Sequence, residues 1–184
     1  MNGVGDGGST IEERIGVNLR ETEGTLATAE SCTGGLVASL VTDVPSASDY
    51  FDRGVVTYAY DAKRELLGVT REALDEHGAV SELVARQMAR RVRDLSGTTW
   101  GLSVTGIAGP TGGTEEKPVG TVFVGVAYAG EWGSGDSYAA VEGYRFEGDR
   151  RSIKEQAARE ALGFLESHLT ATTDEDRPRI DDDQ

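Results

Sequence analysis

The stretch TLATAESCTGGLVASLVTD, residues 25–43, decides how the rest of the chain is read. TLATAE, 25–30, reads as a short buried strand, and GLVASLVTD, 35–43, as a helix with small and apolar residues throughout. The turn is therefore Ser31, Cys32, Thr33 and Gly34. A strand that runs directly into a helix leaves unpaired amides and the positive end of the helix dipole at the turn, which suits a phosphate or a developing oxyanion. Ser31 stands where such a site wants a nucleophile. The same residues fit a plainer role, with Ser31 or Thr33 as an N-cap and Gly34 and Gly35 permitting a tight turn. Taken alone, these residues leave both readings open.

Working outward, the chain alternates helix and strand signals. Residues 1–8 are glycine-rich and expected to be mobile. Ser9 and Glu12 form a capping-box pattern ahead of Ile11, Ile15 and Leu19, which recur at helical spacing and predict a helix over 10–23. GVVTYAY, 54–60, reads as a second strand, with Val56, Tyr58 and Tyr60 on one face, and DAKRELLG, 61–68, as a helix. A short helix over 70–77 ends at Gly78, and a longer one starts at Ser81 with a stripe of Leu83, Val84, Met88, Val92 and Leu95. Strands follow over 99–104, 119–129 and 137–146, the last two close enough for an antiparallel hairpin. A final helix over 150–169 carries Ile153, Ala157, Ala161, Leu165 and Leu169 on one side. The expected architecture is one α/β domain over 10–169, a three-layer α/β/α sandwich with a mixed, mainly parallel sheet. A flexible segment, 1–9, precedes it, and the tail over 170–184, largely without apolar residues, is expected to be disordered.

Composition narrows the function. With 184 residues the chain can bury a core without disulfides or metal. Cys32 is the lone cysteine, and the two histidines, His77 and His168, lie far from it, so zinc-ligand spacing is absent. Neither a signal-peptide pattern nor an apolar run of membrane-spanning length is present, so a cytoplasmic protein without a membrane partner is expected. The formal net charge of -14 argues against general nucleic-acid binding, which needs basic surface. Acidic surface with scarce lysine instead looks like adaptation to high salt, as in a halophile, where like charges are strongly screened.

Lysine occurs only at Lys63, Lys117 and Lys154, while arginine is plentiful. A retained lysine is a candidate for chemistry that a guanidinium cannot do, because lysine loses its proton when desolvated. Lys63 belongs to a Tyr-x-x-x-x-Lys segment, Tyr58 to Lys63. A second glycine-rich stretch, VTGIAGPTGGTEEKPVGT over 104–121, follows the third strand; it lacks the Gly-Lys-Ser/Thr of a Walker loop. Ligands of open α/β sheets collect beyond the carboxyl ends of the strands, so Ser31, the 58–63 segment and residues 105–113 are expected to meet in one crevice.

The segments ESCTGG, TYAYDAK, VTGIAGPTGGTEEKPVGTV and FEGDR closely resemble the CinA carboxy-terminal domain family, whose characterised enzymatic members are nicotinamide-mononucleotide deamidases. The resemblance covers about residues 11–169. It implies hydrolysis of the carboxamide of nicotinamide mononucleotide to nicotinic acid mononucleotide and ammonia, by a serine/lysine amidohydrolase that needs neither metal nor cofactor. By motif, Ser31 would be the nucleophile, Lys63 its general base, and Tyr58 would orient the lysine or relay a proton. Thr33, Gly34 and Gly35 would offer amides to phosphate or oxyanion, Thr105 and Gly106 would position the substrate, and Arg150 would bind phosphate. Gly112 and Gly113 would let the loop backbone approach the ligand. The family usually has asparagine where this chain has Tyr60 and arginine where it has Lys154, departures that bear on substrate affinity. The family also suggests a homo-oligomer, expected to be a dimer. A non-catalytic nucleotide-binding or competence-related regulatory module is the alternative the same resemblance allows.

Overall fold

The computed structural model describes residues 8–173, with side chains through Ala171. The segment over 1–7 and most of the acidic tail, 174–184, lie outside the described residues. Five strands form one sheet: β1 (Leu26–Glu30), β2 (Phe51–Val56), β3 (Trp100–Gly106), β4 (Thr121–Tyr128) and β5 (Tyr138–Arg145). Their order is β2-β1-β3-β4-β5. β1 pairs in parallel with β2 and β3, whereas β4 runs antiparallel to both β3 and β5. Four strands therefore point one way and β4 alone points the other, the mixed, mainly parallel sheet expected.

Among the described residues six α-helices cover the two faces: α1 (Ile11–Glu21), α2 (Leu36–Thr42), α3 (Tyr60–Leu67), α4 (Arg71–His77), α5 (Glu82–Ser96) and α6 (Arg150–Thr173). On one face α1 and α2 pack with α6, which lies on β3 and β4; on the other, α3 and α4 pack against α5, which crosses the sheet. The first face buries Ile15, Leu19, Leu102, Val124, Leu162 and Leu165 in one cluster, and the second buries Ala27, Ala29, Leu67, Val84, Met88 and Val92. Each fully buried Leu or Val of this kind contributes about 1.5–3 kcal/mol relative to exposure.

Local chemistry explains where the elements start and stop, and where they depart from the sequence reading. The capping box of α1 is closed one residue later than expected, by Thr10 and Glu13. Glu12 is instead buried, with Arg159 of α6 3.6 Å away. β2 begins at Phe51 and ends at Val56, not at Tyr60, because its partner β1 ends at Glu30; the last tie between them is Thr57 N–H to Glu30 O at 2.8 Å. Beyond that point no ladder remains to hold Tyr58 and Tyr60 extended, and Tyr60 opens α3. The buried face of α5 is Val84, Ala85, Met88, Ala89 and Val92, while Leu83 and Leu95 are exposed. Small residues define that face because the helix backbone lies directly on the sheet: a Cβ on Gly101 would stand 2.2 Å from Ala89 O, and one on Gly125 would stand 2.7 Å from Ala85 O. Ser103 of β3, directly opposite Gly125 of β4, donates through Oγ to Ala85 O at 2.7 Å. α6 continues to Thr173, four residues past its expected end and into the span expected to be disordered.

Because β1, β2, β3 and β5 share a direction, their carboxyl ends lie along one edge of the sheet. Ser31, Thr57, Gly106 and the start of α6 are gathered there.

Candidate active site

Ser31 is fixed at the end of β1 by its own N–H, which donates to Val104 O at 2.9 Å, and by Gly34 N–H, which donates to Ser31 O at 3.1 Å. Lys63 lies in the first turn of α3, and its side chain is 0% exposed. Lys63 Nζ stands 2.9 Å from Ser31 Oγ and donates to Thr57 O at 2.6 Å. Among the described residues it takes part in no ion pair. Burial without a counter-charge lowers the Lys63 amine from its ordinary 10.5 to about 8, and only the Coulombic effect of neighbouring Cys32 opposes the shift. Burial pushes the Cys32 thiol up to about 11.

This pair opens into a cleft of about 220 Å³ whose walls include Tyr58, Ala79, Thr105, Gly106, Gly112 and Arg150. Three sequence-distant segments thus converge as expected. Their details differ from the roles implied by motif. Tyr58 is 58% exposed, and its hydroxyl accepts from Arg150 Nη2 at 2.6 Å. No hydrogen bond joins it to Lys63 among the described residues; the Thr57 carbonyl orients the lysine instead. The Thr105 hydroxyl donates to Ala79 O at 2.7 Å and so braces the wall of the cleft. Gly113 does not line the cleft; it lies where the loop folds back on itself, and a Cβ there would meet Val119 N at 2.7 Å.

Residues 8–169 match the family model described as the CinA C-terminal domain. The chain belongs to the CinA C-terminal domain family.

A CinA-like protein of Syntrophotalea carbinolica is 45% identical over 163 residues, which cover 89% of this chain and 38% of that protein. A putative competence-damage inducible protein of Symbiobacterium thermophilum is 49% identical over 167 residues, covering 90% and 39%. The chain thus spans about two-fifths of the length of these curated relatives. Among solved structures, the competence/damage inducible protein CihA of Agrobacterium tumefaciens superposes with a TM-score of 0.80 at 38% identity, covering 87% of this chain and 93% of that one. The competence damage-inducible protein A (ComA) of Klebsiella pneumoniae gives 0.80 at 32% identity, covering 87% and 95%.

In this CinA domain a second, larger cleft of about 620 Å³ adjoins the first across Arg150. It is lined by Thr33, Gly34, Gly35, Ser39, Arg151 and Lys154, among others. Among the described residues the Thr33 hydroxyl is buried without a partner, and Lys154 Nζ lies 3.6 Å from where a Cβ on Gly34 would stand. Two of the three amides expected to receive an anion at this turn are, however, taken: Gly34 N–H donates to Ser31 O, and Gly35 N–H to Glu30. Glu30 Oε2 accepts from Gly35 N at 2.9 Å and Val37 N at 3.1 Å, and Glu30 Oε1 accepts from Ala38 N at 2.8 Å. Neither Ser31 nor Thr33 caps the helix.

Lys117 Nζ donates to His77 O at 2.6 Å, tying the glycine-rich loop to the end of α4. Tyr60 accepts from Ala79 N through its hydroxyl at 3.1 Å. Sequence reasoning missed Glu30 and Thr57. The signal for Glu30 was present, since a charged residue closes an otherwise apolar and small strand five positions before a helix. Among the described residues no helix is long and apolar enough to cross a membrane, and no three His, Cys, Asp or Glu side chains cluster as metal ligands.

Proposed function

We propose that this CinA domain hydrolyses the carboxamide of nicotinamide mononucleotide, releasing ammonia and nicotinic acid mononucleotide, with Ser31 as nucleophile and Lys63 as general base. One observation carries the reading: a wholly buried lysine without an ion pair stands 2.9 Å from a serine hydroxyl at the floor of a cleft. A lysine placed only for structure would pair its charge or reach solvent.

In its neutral form Lys63 keeps one N–H on Thr57 O and turns its lone pair to the Ser31 hydroxyl. Ser31 Oγ attacks the carboxamide carbon as its proton passes to Lys63 Nζ. The Lys63 ammonium passes the proton to the carboxamide nitrogen, and collapse of the tetrahedral intermediate breaks the C–N bond and releases ammonia. Water, deprotonated by the same amine, then attacks the acyl carbon; the bond to Ser31 Oγ breaks, Lys63 returns the proton to that oxygen, and the acid is freed. Arg150, which borders both clefts, would meet the anionic part of the nucleotide.

The test is to incubate the protein with nicotinamide mononucleotide, in dilute buffer and in molar potassium chloride, and separate the products. Equimolar ammonia and nicotinic acid mononucleotide support the reading. A folded protein that yields neither under both conditions refutes it.

A further inference from the structure

Glu30 connects both halves of the Ser31–Lys63 pair. Its main-chain O accepts from Thr57 N at 2.8 Å, and Thr57 O in turn holds Lys63 Nζ at 2.6 Å. Its carboxylate, on a residue only 1% exposed, takes the Gly35, Val37 and Ala38 amides on the far side of the turn that carries Ser31. No basic side chain pairs with it among the described residues. The turn it spans contains Gly34 at φ +64° and Gly35 at φ +98°, residues that confer freedom unless something ties the ends together. A carboxylate against several amides at the positive end of a helix is a strong tie.

We propose that Glu30 is a positioning residue for the nucleophile: its carboxylate occupies the start of α2 as a built-in anion and sets the Ser31 turn before any ligand arrives. The Gly35, Val37 and Ala38 amides are consequently not available to the substrate's phosphate or the reaction's oxyanion. The inference rests on the serine/lysine reading of the site.

The experiment compares wild type, Glu30→Ala and Glu30→Gln, each confirmed as folded by circular dichroism at the assay temperature. Two readouts are taken: kcat and KM for ammonia release from nicotinamide mononucleotide, and the rate at which phenylmethylsulfonyl fluoride labels Ser31, followed by mass spectrometry. Each is measured with and without sodium formate. For Glu30→Ala we expect at least a tenfold fall in kcat and in labelling rate, with KM within about twofold, and saturable recovery of both rates by formate, which restores a carboxylate to the vacated amides. Glu30→Gln fills that space with a carboxamide whose NH2 faces amide donors, so it should lose activity without recovery by formate. If Glu30→Ala loses activity only through KM, or formate restores nothing, or the folded variant labels as fast as wild type, the proposal is overturned. A wild type that labels at Ser31 faster than Glu30→Ala but releases no ammonia would refute the substrate assignment and leave the role of Glu30 standing.

Discussion

Tyr58 and Arg150 are joined side chain to side chain: the guanidinium Nη2 donates to the tyrosine hydroxyl at 2.6 Å, while Nη1 donates to Gly109 O at 2.6 Å. This bond links the segment after β2 to the start of α6 and closes one side of the Ser31 cleft. It also gives Tyr58 a partner other than the lysine it was expected to orient.

Tyr58→Phe should therefore act through Arg150. Loss of one charge-assisted hydrogen bond is worth about 1.5–3 kcal/mol at most, and the arginine keeps Gly109. We expect a rise in KM of roughly 3- to 10-fold with kcat nearly unchanged, measured by steady-state ammonia release. A fall in kcat of about 100-fold at constant KM would mean that Tyr58 relays a proton after all.

Lys63 makes two pH-dependent predictions. Only its neutral amine accepts the Ser31 proton, so kcat/KM should rise with pH and level off above about 8. Stability should follow a different window. An unfolded lysine titrates at its ordinary 10.5, so between about 8 and 10.5 the unfolded chain holds a proton that the folded chain has released. Stability therefore rises with pH across that window, and below about 8 the full penalty of the buried charge is present. Lys63→Met lacks this dependence. Its Tm relative to wild type should be most favourable near pH 7 and should decline steadily toward pH 10.5. A difference that stays flat across the window would show that Lys63 is not held below its ordinary value.

Much of this was legible before the structure, and the misses have physical causes. The strand-turn-helix around Ser31 could be read from residues 25–43 because strand, turn and helix differ sharply in composition there. Scarcity of lysine singled out Lys63, Lys117 and Lys154; Lys63 stands against Ser31 and Lys154 lines the adjoining cleft, whereas Lys117 ties the glycine-rich loop to the end of α4. The end of β2 was misplaced because Tyr58 and Tyr60 have the intrinsic preference of strand residues, whereas the length of the neighbouring strand decides where pairing stops. The true face of α5 was obscured because apolar size was weighted over closeness, and Ala85 and Ala89 face the sheet where glycines admit the helix backbone. Which amides at the α2 start are free could not be read from a turn motif, since their acceptor is the side chain of the residue before the turn.

The seat of α5 on the sheet gives a stability prediction. Gly101 faces Ala89 O so closely that even a methyl group has no room, and the obstacle is backbone. Gly101→Ala should lower unfolding free energy by about 1–3 kcal/mol or more, read from urea denaturation at constant m-value. An unchanged midpoint would show that α5 does not lie this close to β3.

The most direct test of the account is the activity of Lys63→Arg in protein that circular dichroism shows to be folded. A guanidinium cannot give up its proton at these pH values, so it keeps the charge of lysine while abolishing its use as a base. The account predicts no ammonia release from nicotinamide mononucleotide above the level of Ser31→Ala, alongside a wild type that turns over. Turnover by Lys63→Arg at the wild-type rate would contradict it.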